Sequence, residues 1–427
     1  MWIKCETAAK GKIRISAGGA DGGFGEFHVG PESLNEASAA VYERLDDFVE
    51  WADQACCERD ELFGEQLRTK GLKPDGANMF GLQPIAGLPT AEPPPQWLTW
   101  VDTQKVVRRR LLDSLVDVGR DLYDAVFWEP RGKAAIGNIQ ASMRTAYQGV
   151  PASPSEAAKP PDRRLVIQPH SALHVPWGLL FDPAHAVDAA NDGDEFSVYG
   201  GFWAMRHDLS VTTQPPQICR QRRNREGFGV LSLVETGMQD LVHADLGATG
   251  HDEIFKLDPI GTAHSYRECT NYVASTPCVD ILLHYFGHQD GQALQLGKER
   301  ITLQKYRRLL DEIAARGELH RVSSFGLVFL NGCRSAYGRG DYSLRSSVAE
   351  NPDFCGAIVT EAAVRRPFAA EFARRFINHL RGGRTISQAM TDLRQARELW
   401  PESLVYGCYA SPDYCIRTDR PQGGGAA

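Results

Sequence analysis

Two short stretches hold side chains able to do covalent chemistry together. LVFLNGCRSAYG, residues 327–338, runs apolar and stops at Asn331-Gly332-Cys333, and VDILLHYFGHQDG, residues 279–291, stops in the same way at Gly287-His288. An unpaired cysteine inside a core packs as a small hydrophobe. A thiol where an α/β strand ends sits where such folds carry out their chemistry. A free thiol, with a pKa of about 8.5, is only a few per cent thiolate at neutral pH. An imidazole within reach can take its proton, and a general base contributes about 10²- to 10⁴-fold in rate. Cys333 is therefore expected to be a nucleophile and His288 its base. The backbone N–H of Cys333 and a second one at the Gly287-His288-Gln289 turn would hold the oxyanion of a tetrahedral intermediate. Gly287 and Gly332 would let a substrate backbone approach closely.

Such a pair needs two neighbouring strands that end at one edge. The 45 residues from His288 to Cys333 suffice for one right-handed strand–helix–strand crossover, with residues 301–316 as its helix and Leu303, Tyr306, Leu310 and Ile313 as the buried face. Further strands are expected at 164–168, 209–213, 228–234, 279–286, 325–330, 355–360 and 404–410. Several are unbroken β-branched or aliphatic runs, which suits a mainly parallel sheet buried on both faces. Phe368, Phe372, Phe376 and Leu380 mark another helix, and Thr385-Ile386-Ser387-Gln388 caps a third. Upstream, Leu111, Leu115, Val118, Leu122 and Val126 give the stripe of a helix over roughly 103–127. The opening strands WIKCET and GKIRIS lead through a glycine-rich turn to a helix with a capping box at Ser33–Glu36, carrying Val41, Leu45, Phe48 and Ala52. Prolines over 83–97 close this part. The expected organisation is a small N-terminal α+β domain (1–95), a linker (96–104), an α/β domain (105–418) and a disordered tail (419–427).

Composition narrows the function. With 427 residues, 42% hydrophobic and 24% charged, the chain reads as globular and larger than one ordinary core. A net charge of -7 argues against nucleic acid, and Arg108–Arg110 and Arg220–Arg223 read as solvated faces. The N-terminus lacks an apolar signal segment, and no run reaches the roughly 18 apolar residues of a membrane span. A cytoplasmic location with mostly free thiols is expected, with no membrane partner. The ten cysteines contain no CxxC pair, so no metal is expected.

The pair HYFGHQ and FLNGCRSA, in that order and spacing, resembles caspase-like cysteine peptidases, most closely their bacterial CHAT-domain branch. LVIQPHSALHVPWGLLFD, VGRDLYDAVF and INHLRGGRTISQAMTDLRQAREL followed by LVYGCYA look like the surrounding pieces of that domain, over roughly residues 105–418. The resemblance implies a caspase-like sandwich, a mainly parallel central sheet flanked by helices. It implies Cys333 as nucleophile and His288 as partner in cutting a protein substrate without a cofactor, under the control of an activator or regulatory protein. The N-terminal domain would be a regulator or adaptor. The family usually has glycine after the histidine; here Gln289 keeps the N–H but adds a side chain. Asn331, two residues before the cysteine, would line the pocket for the side chain preceding the cut, and Glu361 could add negative charge to it, with Arg365 and Arg366 close behind.

Other readings stand beside this one. His284 reads as a hydrogen-bonded core histidine. Its four-residue spacing from His288 lacks the helix and glutamate of a zinc motif. GQALQLGKE has the wrong spacing for a phosphate loop, which disfavours a nucleotide-dependent switch. Trp97/Trp100 and Trp177/Phe181 read as packed in cores or at the domain junction. A catalytically inactive caspase-like scaffold for protein–protein interaction is the principal alternative, with Gln289 its best support. In the peptidase reading, glycine at 289 is expected to preserve or raise turnover, and a large loss would give the glutamine a role of its own.

Overall fold

The computed structural model describes residues 1–47, 105–127, 133–148, 164–183, 200–212, 228–319, 325–336, 343–396 and 399–416, apart from short stretches and single positions within them. Phe48, Ala52, the linker, the tail, Trp97 and Trp100 lie outside the described residues.

A six-stranded sheet carries the chemistry-bearing strands. Its order is β13-β12-β11-β8-β6-β7, with β6 Phe228–Val234, β7 Pro259–Ala263, β8 Asp280–Phe286, β11 Phe325–Asn331, β12 Phe354–Thr360 and β13 Tyr406–Ala410. All neighbours pair parallel except β12 with β13. The apolar runs alternate between two buried faces. Val230, Leu282, Phe329 and Ile358 join one core cluster, while Leu231, Leu283, Val328 and Ala357 join another. Burial on both sides is why these strands read as continuous hydrophobic runs.

Helices α1 (residues 31–45), α2 (Lys105–Phe127), α3 (Lys133–Gln148), α4 (Trp203–Arg206), α5 (Met238–Phe255), α6 (Tyr266–Ser275), α7 (Leu303–Leu319), α8 (Leu344–Ala349), α9 (Arg366–Arg381) and α10 (Ile386–Gln395) surround the sheets. α9 buries Phe368, Phe372, Phe376 and Leu380 against one face, and α7 buries Tyr306, Leu310 and Ile313 against the other. Thr385 and Gln388 form the expected capping box of α10. α5 is broken at Gly247, whose φ of 70° belongs to the left-handed region that glycine enters without a Cβ penalty. The stretch once comparable to a phosphate loop is a hairpin, β9 (Ala293–Leu296) and β10 (Glu299–Thr302), turning at Gly297.

The N-terminal strands do not form a separate unit. β1 (Trp2–Thr7), β2 (Ile13–Gly19) and β3 (Gly22–Val29) share a five-stranded sheet with β4 (Arg164–Gln168) and β5 (Asp208–Val211), in the order β3-β2-β1-β4-β5. β1 pairs parallel with β4, Trp2 opposite Val166. Strand pairing thus joins the first residues to the segment after 160, across the boundary expected at residue 95. One core cluster runs through both sheets, and Ser210 Oγ on β5 donates to the Ala410 carbonyl on β13 at 2.5 Å. β3 occupies the stretch expected to be a turn. α1 starts at Pro31, with Ser33 inside it donating to the Gly30 carbonyl at 3.1 Å rather than forming a capping box. The architecture is α/β, with a mainly parallel sheet and a mixed sheet flanked by helices. Among the described residues no helix is long and apolar enough to cross a membrane.

His284 is buried among Phe255, Phe286 and Phe329, as expected, but neither ring nitrogen has a hydrogen-bond partner. Burial pushes its imidazole down to about 3, so the ring is neutral in the fold. The unfolded chain takes up this proton near about pH 6.5, so the neutral ring's stabilisation is complete above that pH. It is lost as pH falls, by up to about 1.4 kcal/mol per unit until the folded value is reached. His284→Leu is expected to weaken the decline of unfolding free energy between pH 6 and pH 4, measured with denaturant. An unchanged decline contradicts a buried neutral imidazole.

Candidate active site

Three adjacent parallel strands end level. Val234 of β6 stands opposite Phe286 of β8, which stands opposite Asn331 of β11. The next residues leave the sheet along one edge: Glu235 after β6, Gly287-His288-Gln289 after β8, and Gly332-Cys333 after β11. The Glu235 N–H extends the ladder by one bond, donating to the Phe286 carbonyl at 3.1 Å.

The histidine and cysteine turns touch. Gln289 Nε2 donates to the carbonyls of Cys333 (3.0 Å) and Gly332 (3.3 Å). A Cβ on Gly332 would lie 2.5 Å from the Gly287 carbonyl oxygen, and one on Gly287 would lie 2.8 Å from Glu235 Cβ. The two glycines are therefore required by the approach of chain to chain within the fold. This differs from the substrate access expected of them.

Each turn is also held from its outer side. On the cysteine side, the Thr360 hydroxyl donates to the Gly332 carbonyl, Ser335 N–H donates to Thr360 Oγ1 at 3.1 Å, and Ser335 Oγ donates to the Leu330 carbonyl at 2.7 Å. On the histidine side, the His288 carbonyl accepts from the Tyr285 hydroxyl and from Gln295 N–H, the latter at 3.0 Å, so the β9–β10 hairpin buttresses the turn. Cys333 is half-buried, and its Sγ lies 3.7 Å from the Val364 carbonyl. The His288 ring is 70% exposed, with Nδ1 2.7 Å from Glu235 Oε2.

The backbone donors divide unevenly. His288 N–H donates to Glu235 Oε2 at 2.7 Å. Among the described residues the N–H groups of Cys333 and Gln289 donate to no protein acceptor.

Asn331 and Glu361 sit deeper than expected of substrate-binding residues. Asn331 is 2% exposed; its Nδ2 donates to the Ala369 carbonyl at 2.8 Å, and its Oδ1 accepts from the Tyr406 hydroxyl at 2.6 Å. Its amide thus ties β11 to α9 and β13. Glu361 is buried, accepting from the hydroxyls of Tyr42 (3.0 Å) and Tyr409 (2.6 Å). Burial raises its carboxyl above the usual range, against the Tyr409 and Tyr42 hydroxyls and the Arg345 charge that lower it. Arg365 pairs with Glu402 and Arg366 with Asp245, so both guanidinium groups have carboxylate partners. Among the described residues no cluster of histidine, cysteine or carboxylate side chains could hold a metal ion.

Glu235 escaped sequence reasoning because it stands alone after an apolar run, 53 residues from His288. The signal was its position: the first residue past a strand that neighbours β8. No protein-family model matches the chain, and no curated protein is significantly similar to it.

The Gln289 bonds give this side chain a structural role in holding the two turns together. Gln289→Gly removes two side-chain hydrogen bonds and is expected to cost about 1–3 kcal/mol in urea unfolding. Gln289→Glu, which cannot donate to the two carbonyls, is expected to be no better. Gly332→Ala is expected to destabilise by about 1–3 kcal/mol through overpacking against Gly287. Unfolding midpoints equal to wild type for all three would show that the two turns do not depend on this contact.

Proposed function

We propose that this protein is a cysteine endopeptidase of the caspase-like CHAT type, with Cys333 as nucleophile and His288 as general base. The observation that carries the reading is the level ending of β8 and β11, with Gln289 bonded to the backbone of Cys333. The thiol proton passes to the imidazole, and the sulfur attacks the scissile carbonyl carbon. The oxyanion is held by the N–H groups of Cys333 and Gln289. Collapse breaks the C–N bond, and the imidazolium gives its proton to the departing amine. Water then hydrolyses the thioester, activated by the same imidazole, and the thiol is restored.

The substrate is a protein, and the reading extends to a bacterial effector controlled by an activator or regulatory partner. A route for such control is supported by α1, where Tyr42 bonds Glu361, three residues before the Val364 carbonyl that faces the Cys333 sulfur. An inactive scaffold is the second reading, favoured by the Gln289 amide lying across both turns where the family has glycine.

Two measurements separate these readings. Peptide-library cleavage is expected with the wild type and abolished by Cys333→Ala at an unchanged unfolding midpoint; undiminished cleavage by that variant removes the mechanism. Iodoacetamide at neutral pH is expected to modify Cys333 ahead of the other cysteines. Cys5, Cys269 and Cys408 are buried, and burial pushes their thiols upward, Cys5 to about 12. No preference for Cys333 would favour the scaffold.

A further inference from the structure

The carboxylate beneath the histidine turn has a role that the dyad alone does not assign. Glu235 Oε2 lies 2.7 Å from His288 Nδ1 and 2.7 Å from the His288 backbone nitrogen. A carboxylate only accepts, so the ring proton at this contact must reside on Nδ1. The neutral imidazole then carries its free lone pair on Nε2. One oxygen holds both the backbone and the ring of the same residue, which limits rotation about the side-chain bonds between them. Among the described residues no other protein group bonds the His288 ring, which is 70% exposed. The carboxylate is better fixed, with its side chain 19% exposed at the end of β6. Gly287 gives it room, because a Cβ there would fall 3.0 Å from Oε2 and 2.8 Å from Glu235 Cβ.

We infer that Glu235 is a positioning residue: it holds His288 as the Nδ1–H tautomer, in one ring orientation, with Nε2 as the basic atom. The inference rests on the Cys333–His288 reading above. When the thiol proton moves to Nε2, the Nδ1 proton stays on the ring, and the contact becomes an imidazolium–carboxylate bond. The proton on Nε2 later leaves with the amine. Glu235 begins and ends the cycle as a carboxylate.

The test uses the full chain labelled with ¹⁵N at histidine. Long-range ¹H–¹⁵N spectra at neutral pH are expected to show His288 as the Nδ1–H tautomer in the wild type. In Glu235→Ala the tautomers should mix, and iodoacetamide modification of Cys333 should slow roughly 10- to 100-fold, the scale on which losing a group that orients a metal-bound histidine lowers activity. Glu235→Gln, whose amide oxygen can still accept from Nδ1, should keep the tautomer and recover part of the rate. Gly287→Ala, which displaces the carboxylate, should resemble Glu235→Ala. Wild-type tautomer and alkylation rate in folded Glu235→Ala overturn the inference. Should that variant not fold, Glu235→Gln decides: a retained Nδ1–H tautomer supports the inference, and a mixed one overturns it. The peptidase reading fails separately, if no peptide is cut while Glu235 still sets the tautomer.

Discussion

The level register of β6, β8 and β11 is the constraint on which the rest of the site depends. Parallel pairing fixes Val234, Phe286 and Asn331 side by side, and a shift of one residue would turn every side chain to the opposite face. Both faces are packed with large apolar groups of different shapes, so such a slip would exchange the side chains of the two cores and break their packing. The register therefore draws on the whole hydrophobic sheet, while its effect is read at three strand ends. Everything chemical begins one or two residues later, with a carboxylate, an imidazole and a thiol leaving neighbouring strands.

The turns are then tightened by contacts made within the protein. Gly332 approaches the Gly287 carbonyl, and Gln289 spans both chains. Thr360 and Ser335 hold the cysteine side, and Tyr285 with the β9–β10 hairpin holds the histidine side. The exposed ring of His288 thus rises from backbone fixed at several points. A site built in this way has rigid walls and, in His288, a side chain open to solvent.

Much of this arrangement was legible in the sequence because hydrophobic pattern decides it. The strands at 164–168, 228–234, 279–286, 325–330 and 355–360, the crossover helix and the Thr385 capping box all follow from local signals. β7 was hidden by Pro259 and Gly261, tolerable because it is an edge strand. β3 was hidden by its glycines, which read as a turn. Roles that depend on what packs opposite could not be read: Asn331 looked like a pocket residue and proves to be a bridge inside the core, and Gln289 looked like a departure and proves to be a clasp. Glu235 had no local signature at all, since its meaning comes from the order of strands in the sheet. The joining of β1 to β4 across residue 95 was illegible for the same reason, because that pairing is non-local.

That pairing also constrains how the molecule is made. The N-terminal amine donates to the Arg164 carbonyl at 3.0 Å across a sequence separation of 163 residues. On the ribosome, β1 emerges well before its parallel neighbour, which is translated only after a further stretch of more than a hundred residues. Until then the antiparallel β1–β2–β3 meander has an open edge, and closing so long a loop is slow. Completion of the five-stranded sheet is therefore a late event in biogenesis, and the nascent meander is the segment a holding chaperone would shield.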